Sequence, residues 1–333
     1  MRAMILCTPA SIEERPLEEV ELPDPTPGPG ELRVRVRVCA VCRTDLHVIE
    51  GDLPSANLPI VPGHQIVGEV DALGPGCSRF QIGERVGIAW LRWTCGECGF
   101  CRSGQENLCP GSLYTGYHAH GGYAELAMVD EAFAYRIPEA FTDEQASPLL
   151  CAGIIGYRAL KRSRLPEGGR LGLYGFGSSA HVVIQIALHR GHEVFVMSRG
   201  EGHRSLARGM GAAWVGGSRE APPEPMHSAI VFAPAGDIVP DALRSLRPGG
   251  TVALAGIHMS PVPELDYETH LFHEKTLQSV EANTREDGEE LLAEAAAVPI
   301  RPRITRFALD EANDALIQLS RDQIDGTAVL VLE

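Results

Sequence analysis

Four cysteines fall within fifteen residues, Cys95, Cys98, Cys101 and Cys109, in a C-x2-C-x2-C-x7-C run. Four soft thiolates at this spacing can close a tetrahedron around Zn²⁺ and exclude solvent, which is the chemistry of a structural metal; an iron–sulfur site is the alternative for such a set. A second set, Cys42, His64 and Cys151, is dispersed along the chain. Three ligands of these types leave one tetrahedral position free, where a metal can meet a substrate oxygen or water and act as a Lewis acid. The two patterns predict two zinc ions per chain, one structural and one catalytic. Cys7, Cys39 and Cys77 belong to neither pattern and read as small structural residues, because free cysteine is commonly buried.

A third chemical signal is GFGSSA, Gly175 to Ala180, which satisfies G-x-G-x-x-G/A. Gly175 permits a tight strand-to-helix turn, Gly177 lets a pyrophosphate approach the backbone, and Ala180 allows close helix-to-sheet packing. The next strand ends in Met197-Ser198-Arg199, where an acidic residue would select NAD by accepting from the ribose hydroxyls. No acid is present there. Ser198 and Arg199 suit a 2′-phosphate, so NADP is expected to be favoured over NAD.

The elements that must position these residues change rhythm near Cys151. Residues 1–150 hold short β-like runs separated by Pro and Gly clusters; in Leu32 to Val38 the valines alternate with arginines, as in a half-exposed antiparallel strand. From 151 to about 285 the pattern is strand, turn, helix, strand: a strand at 171–174, a helix at 178–190, a strand at 194–197, a helix near 204–210, a strand at 229–233, a helix at 240–247 stopped by Pro248-Gly249-Gly250, and a strand at 251–257. This alternation predicts a doubly wound parallel sheet. After Arg285 a helix, a Pro-rich turn, an amphipathic helix near 310–321 and a strand at 328–332 are expected. With 333 residues, a prior of roughly two domains applies.

A net charge of −15 disfavours a phosphate-backbone partner, so no nucleic-acid partner is expected. No run approaches the ~20 apolar residues of a membrane span and the first residues lack a signal-peptide layout, so a cytoplasmic protein without membrane association is expected.

The ordered set CRTDLH (42–47), GHQIVGEV (63–70), the four-cysteine lobe (about 90–112), LLCAGIIGYRAL (149–160) and GFGSSA resembles the zinc-containing alcohol dehydrogenases of the medium-chain dehydrogenase/reductase superfamily over essentially the whole chain. The wording of the last segments is similar to the bacterial, cinnamyl-alcohol-dehydrogenase-like branch. The resemblance implies an α/β protein in which a GroES-like antiparallel β catalytic domain (1–150) is interrupted by a Rossmann domain (151–285) and resumed at 286–333. It implies reversible hydride transfer between a primary or secondary alcohol and NAD(P)⁺, giving an aldehyde or ketone, in a homodimer or homotetramer. An aldehyde reductase for bulky or aromatic substrates is the runner-up, and a non-catalytic NADPH-binding zinc protein the reading from another class. By the same resemblance Cys42, His64 and Cys151 hold the catalytic zinc, Thr44 takes the alcohol proton, Asp45 orients the ligand histidine, His47 ends a proton relay, Arg43 reaches the cofactor pyrophosphate and Trp90 walls the substrate pocket. Two departures stand out: Gln65 replaces the usual glutamate after the ligand histidine, and Ile155 replaces a frequent threonine.

Overall fold

The computed structural model describes residues 1–53, 56–298, 300–324 and 326–332. The chain divides into two compact units, one of Met1–Cys151, Asn283–Ala296 and Arg301–Glu333, the other of Ala152–Ala282 and Ala297–Ile300.

The first unit is built on a seven-stranded sheet whose central member is Glu31–Ala40. Leu32, Val34, Val36 and Val38 are buried on one face while Arg35 and Arg37 are exposed on the other, the period-2 pattern of a strand with one solvated side. Gln65–Leu73 lies antiparallel along one edge of this strand, and Leu126–Asp130 and Thr327–Val331 share the other. On the solvent face Asp71 accepts from Arg33 at 2.7 Å and from Arg35 at 2.9 Å across the pair. Surface pairs of this kind contribute only about 0–1 kcal/mol each where they are exposed, as at Arg35, so apolar burial on the opposite face fixes the register. One strand was not legible in the Pro-rich stretch near residue 300: Ile304–Ala308 pairs parallel with Thr327–Val331, and its partner supplies the hydrogen bonds that its own pattern does not announce.

The second unit is a six-stranded parallel sheet in the spatial order Trp214–Gly216, Glu193–Met197, Arg170–Tyr174, Met226–Val231, Leu246–Leu254, Thr276–Ser279. Numbered along the chain this is 3-2-1-4-5-6, the doubly wound order. Leu171, Leu173, Val194, Val196, Ala229, Ile230, Val252 and Ala253 are fully buried, because helices cover both faces of such a sheet. The helix after the glycine turn runs Ser178–His189 and buries Ala180, Val182, Val183, Ile184, Ile186 and Ala187.

The strands Trp214–Gly216 and Thr276–Ser279 are not among those expected, the strand placed at 229–233 is Met226–Val231, and two helix boundaries also differ. The helix placed at 204–210 spans Glu201–Gly209, starting directly after Gly200. The helix placed at 240–247 is Val239–Arg244, and the next strand runs Leu246–Leu254, through Pro248-Gly249-Gly250 instead of after it. The reason is tertiary: Leu246 pairs with Met226, and the three breaker residues are absorbed in a register shift before Thr251 pairs with Ser228. Among the described residues no helix is long and apolar enough to cross a membrane.

Candidate metal centres and catalytic site

Cys42 is the N-cap of the helix Arg43–Glu50. Its thiol accepts from the Thr44 N–H at 3.3 Å, and the Asp45 carboxylate accepts from the Cys42 N–H at 2.9 Å, so the helix start holds both side chains in place. His64 comes from the turn entering Gln65–Leu73. Gly63 makes this turn with φ +93°, and a Cβ there would lie 2.4 Å from the Tyr123 ring and 2.9 Å from the Cys39 sulfur. Only glycine fits, and the close packing fixes where His64 enters the site. Cys151 follows the short helical turn Ser147–Leu150. Ser147 ties this turn to the sheet, accepting from the Ala40 N–H at 2.8 Å and donating to the Gln65 carbonyl at 2.6 Å.

These three segments bring the ligand atoms of Cys42, His64 and Cys151 within 4.8 Å of one another. The imidazole Nε2 is 3.3 Å from the Cys42 sulfur, and Nδ1 is 2.9 Å from the Asp45 carboxylate, with His64 and Asp45 both buried. Asp45 therefore accepts the Nδ1 proton and leaves Nε2 free as a ligand. The electrostatics favour a cation. Burial opposes charge on His64, but Asp45 and Cys42 outweigh it and raise its pKa to about 10. A hydrogen bond from Cys151 is the main force drawing Cys42 well below the ordinary thiol range, against the cost of burial, while Cys151, facing that sulfur in a buried setting, is pushed well above it. A dication here would displace the proton on Nε2 as well as those of both thiols, and so would satisfy the set. The donor set fits zinc.

The lobe is a second, independent cluster. The sulfurs of Cys95, Cys98, Cys101 and Cys109 lie within 4.8 Å of one another, with separations of 3.9 Å (Cys95–Cys101), 3.5 Å (Cys98–Cys101) and 3.6 Å (Cys95–Cys109). Zinc–sulfur bonds at tetrahedral angles place sulfurs about 3.8 Å apart, so four thiolates fit one ion. Backbone N–H groups point at the sulfurs: Cys98 N–H donates to Cys95 at 3.3 Å and Cys101 N–H to Cys98 at 3.5 Å. Donors from Glu97 and Cys98 lower Cys95 to about 7, whereas burial raises Cys101 to about 11. Glu106, inside the lobe, receives the Arg285 N–H at 2.7 Å and its guanidinium at 2.6 and 3.0 Å. Nothing in the sequence pattern marked this anchor.

The remaining site residues are placed as follows. Thr44 is buried at the helix start and His47 lies one turn on, its Nδ1 2.8 Å from the Asp52 carboxylate. Asp52 escaped the sequence reading because its partner is set by the helix C-terminus. Arg43 forms an ion pair with Asp322. Trp90 packs edge-on against His64 at 5.0 Å and stacks on Tyr114 at 5.0 Å and Tyr117 at 5.8 Å. Gln65 is fully buried and, among the described residues, its amide atoms have no hydrogen-bond partner. Cys39 is buried, Cys77 half-buried with its thiol donating to the Glu31 carbonyl at 3.3 Å, and Cys7 is exposed, against the expectation of burial, because it follows the strand Arg2–Leu6 into a bend.

In the second unit Gly175 turns with φ +88°, and a Cβ there would come within 3.0 Å of the Ala233 N–H. A Cβ at Gly177 would meet nothing within 4 Å, so the helix N-terminus has open space beside it for a pyrophosphate; Ala180 is fully buried against the sheet. Ser198 is buried at the end of Glu193–Met197 and Arg199 is exposed beside it.

Fold and site define a dehydrogenase with a metal-binding GroES-like unit and a Rossmann unit. The alcohol dehydrogenase GroES-like domain family matches residues 28–139, and the zinc-binding dehydrogenase family matches residues 180–297. A probable alcohol dehydrogenase AdhA of Mycobacterium tuberculosis is 49% identical over 100% of this chain and 97% of that protein. Cinnamyl alcohol dehydrogenase 5 of Arabidopsis thaliana is 30% identical over 89% of this chain and 86% of that protein. The solved cinnamyl alcohol dehydrogenase SbCAD4 of Sorghum bicolor is 28% identical with a TM-score of 0.89, covering 99% of this chain and 97% of that one. The chain belongs to the zinc-containing alcohol dehydrogenases of the medium-chain superfamily. It is a zinc-dependent oxidoreductase that interconverts alcohols and aldehydes or ketones with NAD(P).

Proposed function

We propose that the enzyme works with NADPH in preference to NADH, with the Cys42/His64/Cys151 centre as its reaction site and the unit beginning at Ala152 as its dinucleotide holder. The observation that carries the reaction site is the convergence of Cys42, Cys151 and the buried His64, backed by Asp45. Zinc bound there supplies Lewis acidity toward the substrate oxygen, and the nicotinamide accepts or donates the hydride.

The chain's own residues handle position and protons. Asp45 fixes the His64 tautomer. Thr44, held at the helix start, takes the proton of the alcohol hydroxyl, and His47 passes it outward; the two stand at i and i+3 on one helix face. Asp52 accepts from Nδ1 of His47 at 2.8 Å, which makes Nε2 the basic nitrogen of the relay. Arg43, an exposed cation paired with Asp322, is the residue this reading assigns to the cofactor pyrophosphate. Cys95, Cys98, Cys101 and Cys109 would hold a zinc with no ligand position left over, and that ion would order the loop in place of a local core. Trp90, Tyr114 and Tyr117 favour bulky or aromatic substrates over short aliphatic ones, so aldehyde reduction on such substrates is the second reading. The reducing cytoplasm is the compartment of this reading, supported by nine cysteines of which none is in a disulfide; a homo-oligomer rests on the family resemblance alone.

The test is steady-state kinetics of zinc-loaded enzyme with both cofactors and a panel of aliphatic and aromatic alcohols. Thr44→Ala is expected to lower kcat about 10²–10⁴-fold, whereas Thr44→Ser retains most activity. His47→Gln should slow oxidation at low pH and recover as solvent base increases. Equal kcat/KM with NADPH and NADH would overturn the cofactor preference, and an unchanged pH–rate profile in His47→Gln would remove that residue from the relay.

A further inference from the structure

We propose that Arg204 recognises the cofactor's 2′-phosphate and that Glu201 sets the strength of that recognition. This rests on the NADPH reading above and adds to it two residues that the strand-end rule does not reach.

In a 3-2-1-4-5-6 sheet with a glycine turn after the first strand, the adenosine ribose lies at the end of the second strand. Here that end is Ser198, whose N–H donates to the Gly216 carbonyl at 3.1 Å. Arg199 follows it in sequence, but is exposed and has no ion-pair partner among the described residues. Arg204 is the better-held cation. Its Nη1 donates to the Ser198 carbonyl at 3.3 Å, which places the guanidinium at the strand end, and its side chain is only 26% exposed.

The same guanidinium is gripped from the other side. Nε and Nη2 of Arg204 donate to one oxygen of Glu201 at 2.9 and 2.8 Å, and Arg208 donates to the other at 2.7 Å. Hydrogen bonds from Arg208 and Arg204 hold the Glu201 carboxyl below its ordinary range, so it is an anion at neutral pH. Glu201 thus occupies the face of Arg204 that a phosphate would take. A phosphate dianion makes charge-assisted, bidentate contacts with a guanidinium and can displace one oxygen of a carboxylate, while Arg208 keeps hold of the other. With NADH no such competitor arrives, and the Glu201 pair persists. Glu201 therefore preorganises Arg204 and, as a nearby like charge, limits how tightly the phosphate binds.

The probes are 2′,5′-ADP, which carries the phosphate, and 5′-AMP, which does not, titrated calorimetrically into the full chain. The unmodified protein should bind 2′,5′-ADP at least tenfold more tightly. Arg204→Gln should weaken 2′,5′-ADP about tenfold to a hundredfold, the scale of charge-assisted contacts, with 5′-AMP unchanged. Arg204→Lys should recover part of that loss, since it keeps the charge without the fork. Glu201→Gln should tighten 2′,5′-ADP roughly twofold to tenfold at low salt, and less at high salt, as a relieved repulsion does. If the unmodified protein prefers 2′,5′-ADP and Arg204→Gln keeps that preference, or weakens both nucleotides equally, the assignment of Arg204 falls and the NADPH reading stands on Arg199. An unmodified protein without preference overturns both. Weaker binding in Glu201→Gln overturns the limiting role of Glu201.

Discussion

The two cysteine centres of the first unit are built from similar atoms by opposite means. The lobe takes four sulfurs from fifteen consecutive residues, and backbone N–H groups of the same loop point at them. The other centre takes its three ligands from residues 42, 64 and 151, each held by a different device: a helix cap at Cys42, a glycine turn at His64 and a serine bridge below Cys151. The lobe is closed, all-thiolate and partly exposed. The dispersed centre is also partly exposed at its two cysteines, but its three ligands leave one position open and its histidine is fully buried with the buried Asp45 behind it. A local loop can supply a structural ion because only ligand spacing matters. A reactive centre needs an open position in controlled surroundings, and that control comes from the fold.

Metal removal separates the two most sharply. Titration with a chelator is expected to remove the zinc at Cys42, His64 and Cys151 first, with activity falling about 10³-fold or more, the equivalent of several kcal/mol of lost Lewis-acid stabilisation. The far-UV circular dichroism should hold until the second zinc leaves, and the lobe should then unfold. Metal analysis during the titration checks the order; fully active enzyme with one zinc per chain would break the comparison.

A smaller effect is expected behind the histidine. Asp45→Asn keeps an acceptor for Nδ1 but loses its charge, and should weaken metal at the dispersed centre about 10–100-fold while leaving the lobe unchanged. Competition against a chromophoric chelator resolves the two affinities. Equal weakening at both centres would mean that the substitution acts through the fold instead of through His64.

The smallest effect tests whether the lobe is as self-contained as its sequence suggests. Burial alone would raise the Glu106 carboxyl, but hydrogen bonds and charge from Arg285 outweigh it, and its pKa lies below the ordinary value. A carboxyl depressed in the folded state adds stability that is present above its unfolded pKa and lost as pH falls through the folded one. Glu106→Gln should therefore cost about 1–3 kcal/mol near neutrality, and the melting temperatures of the two proteins should converge as pH drops below the ordinary carboxylate range. A gap that does not narrow with acidification would assign the effect to packing.

The sequence by itself determined a good deal: the four-cysteine lobe, the glycine turn at 175–180, the half-exposed strand within 31–40 and the parallel sheet. Each is a short-range pattern of residue types, since ligand spacing, turn geometry and period 2 are all local. Cys42, His64 and Cys151 stood out singly as candidates and became a set through their surrounding segments. Only the tertiary structure decided what lies between distant segments. Asp52 on His47, Tyr114 and Tyr117 stacked on Trp90, Arg285 on Glu106 and Arg204 over the Ser198 carbonyl carry no periodic or spacing signal. The same holds for the strand Ile304–Ala308 and for the path of Leu246–Leu254 through three breaker residues, where a neighbouring strand's unpaired N–H and C=O groups outweighed local preference.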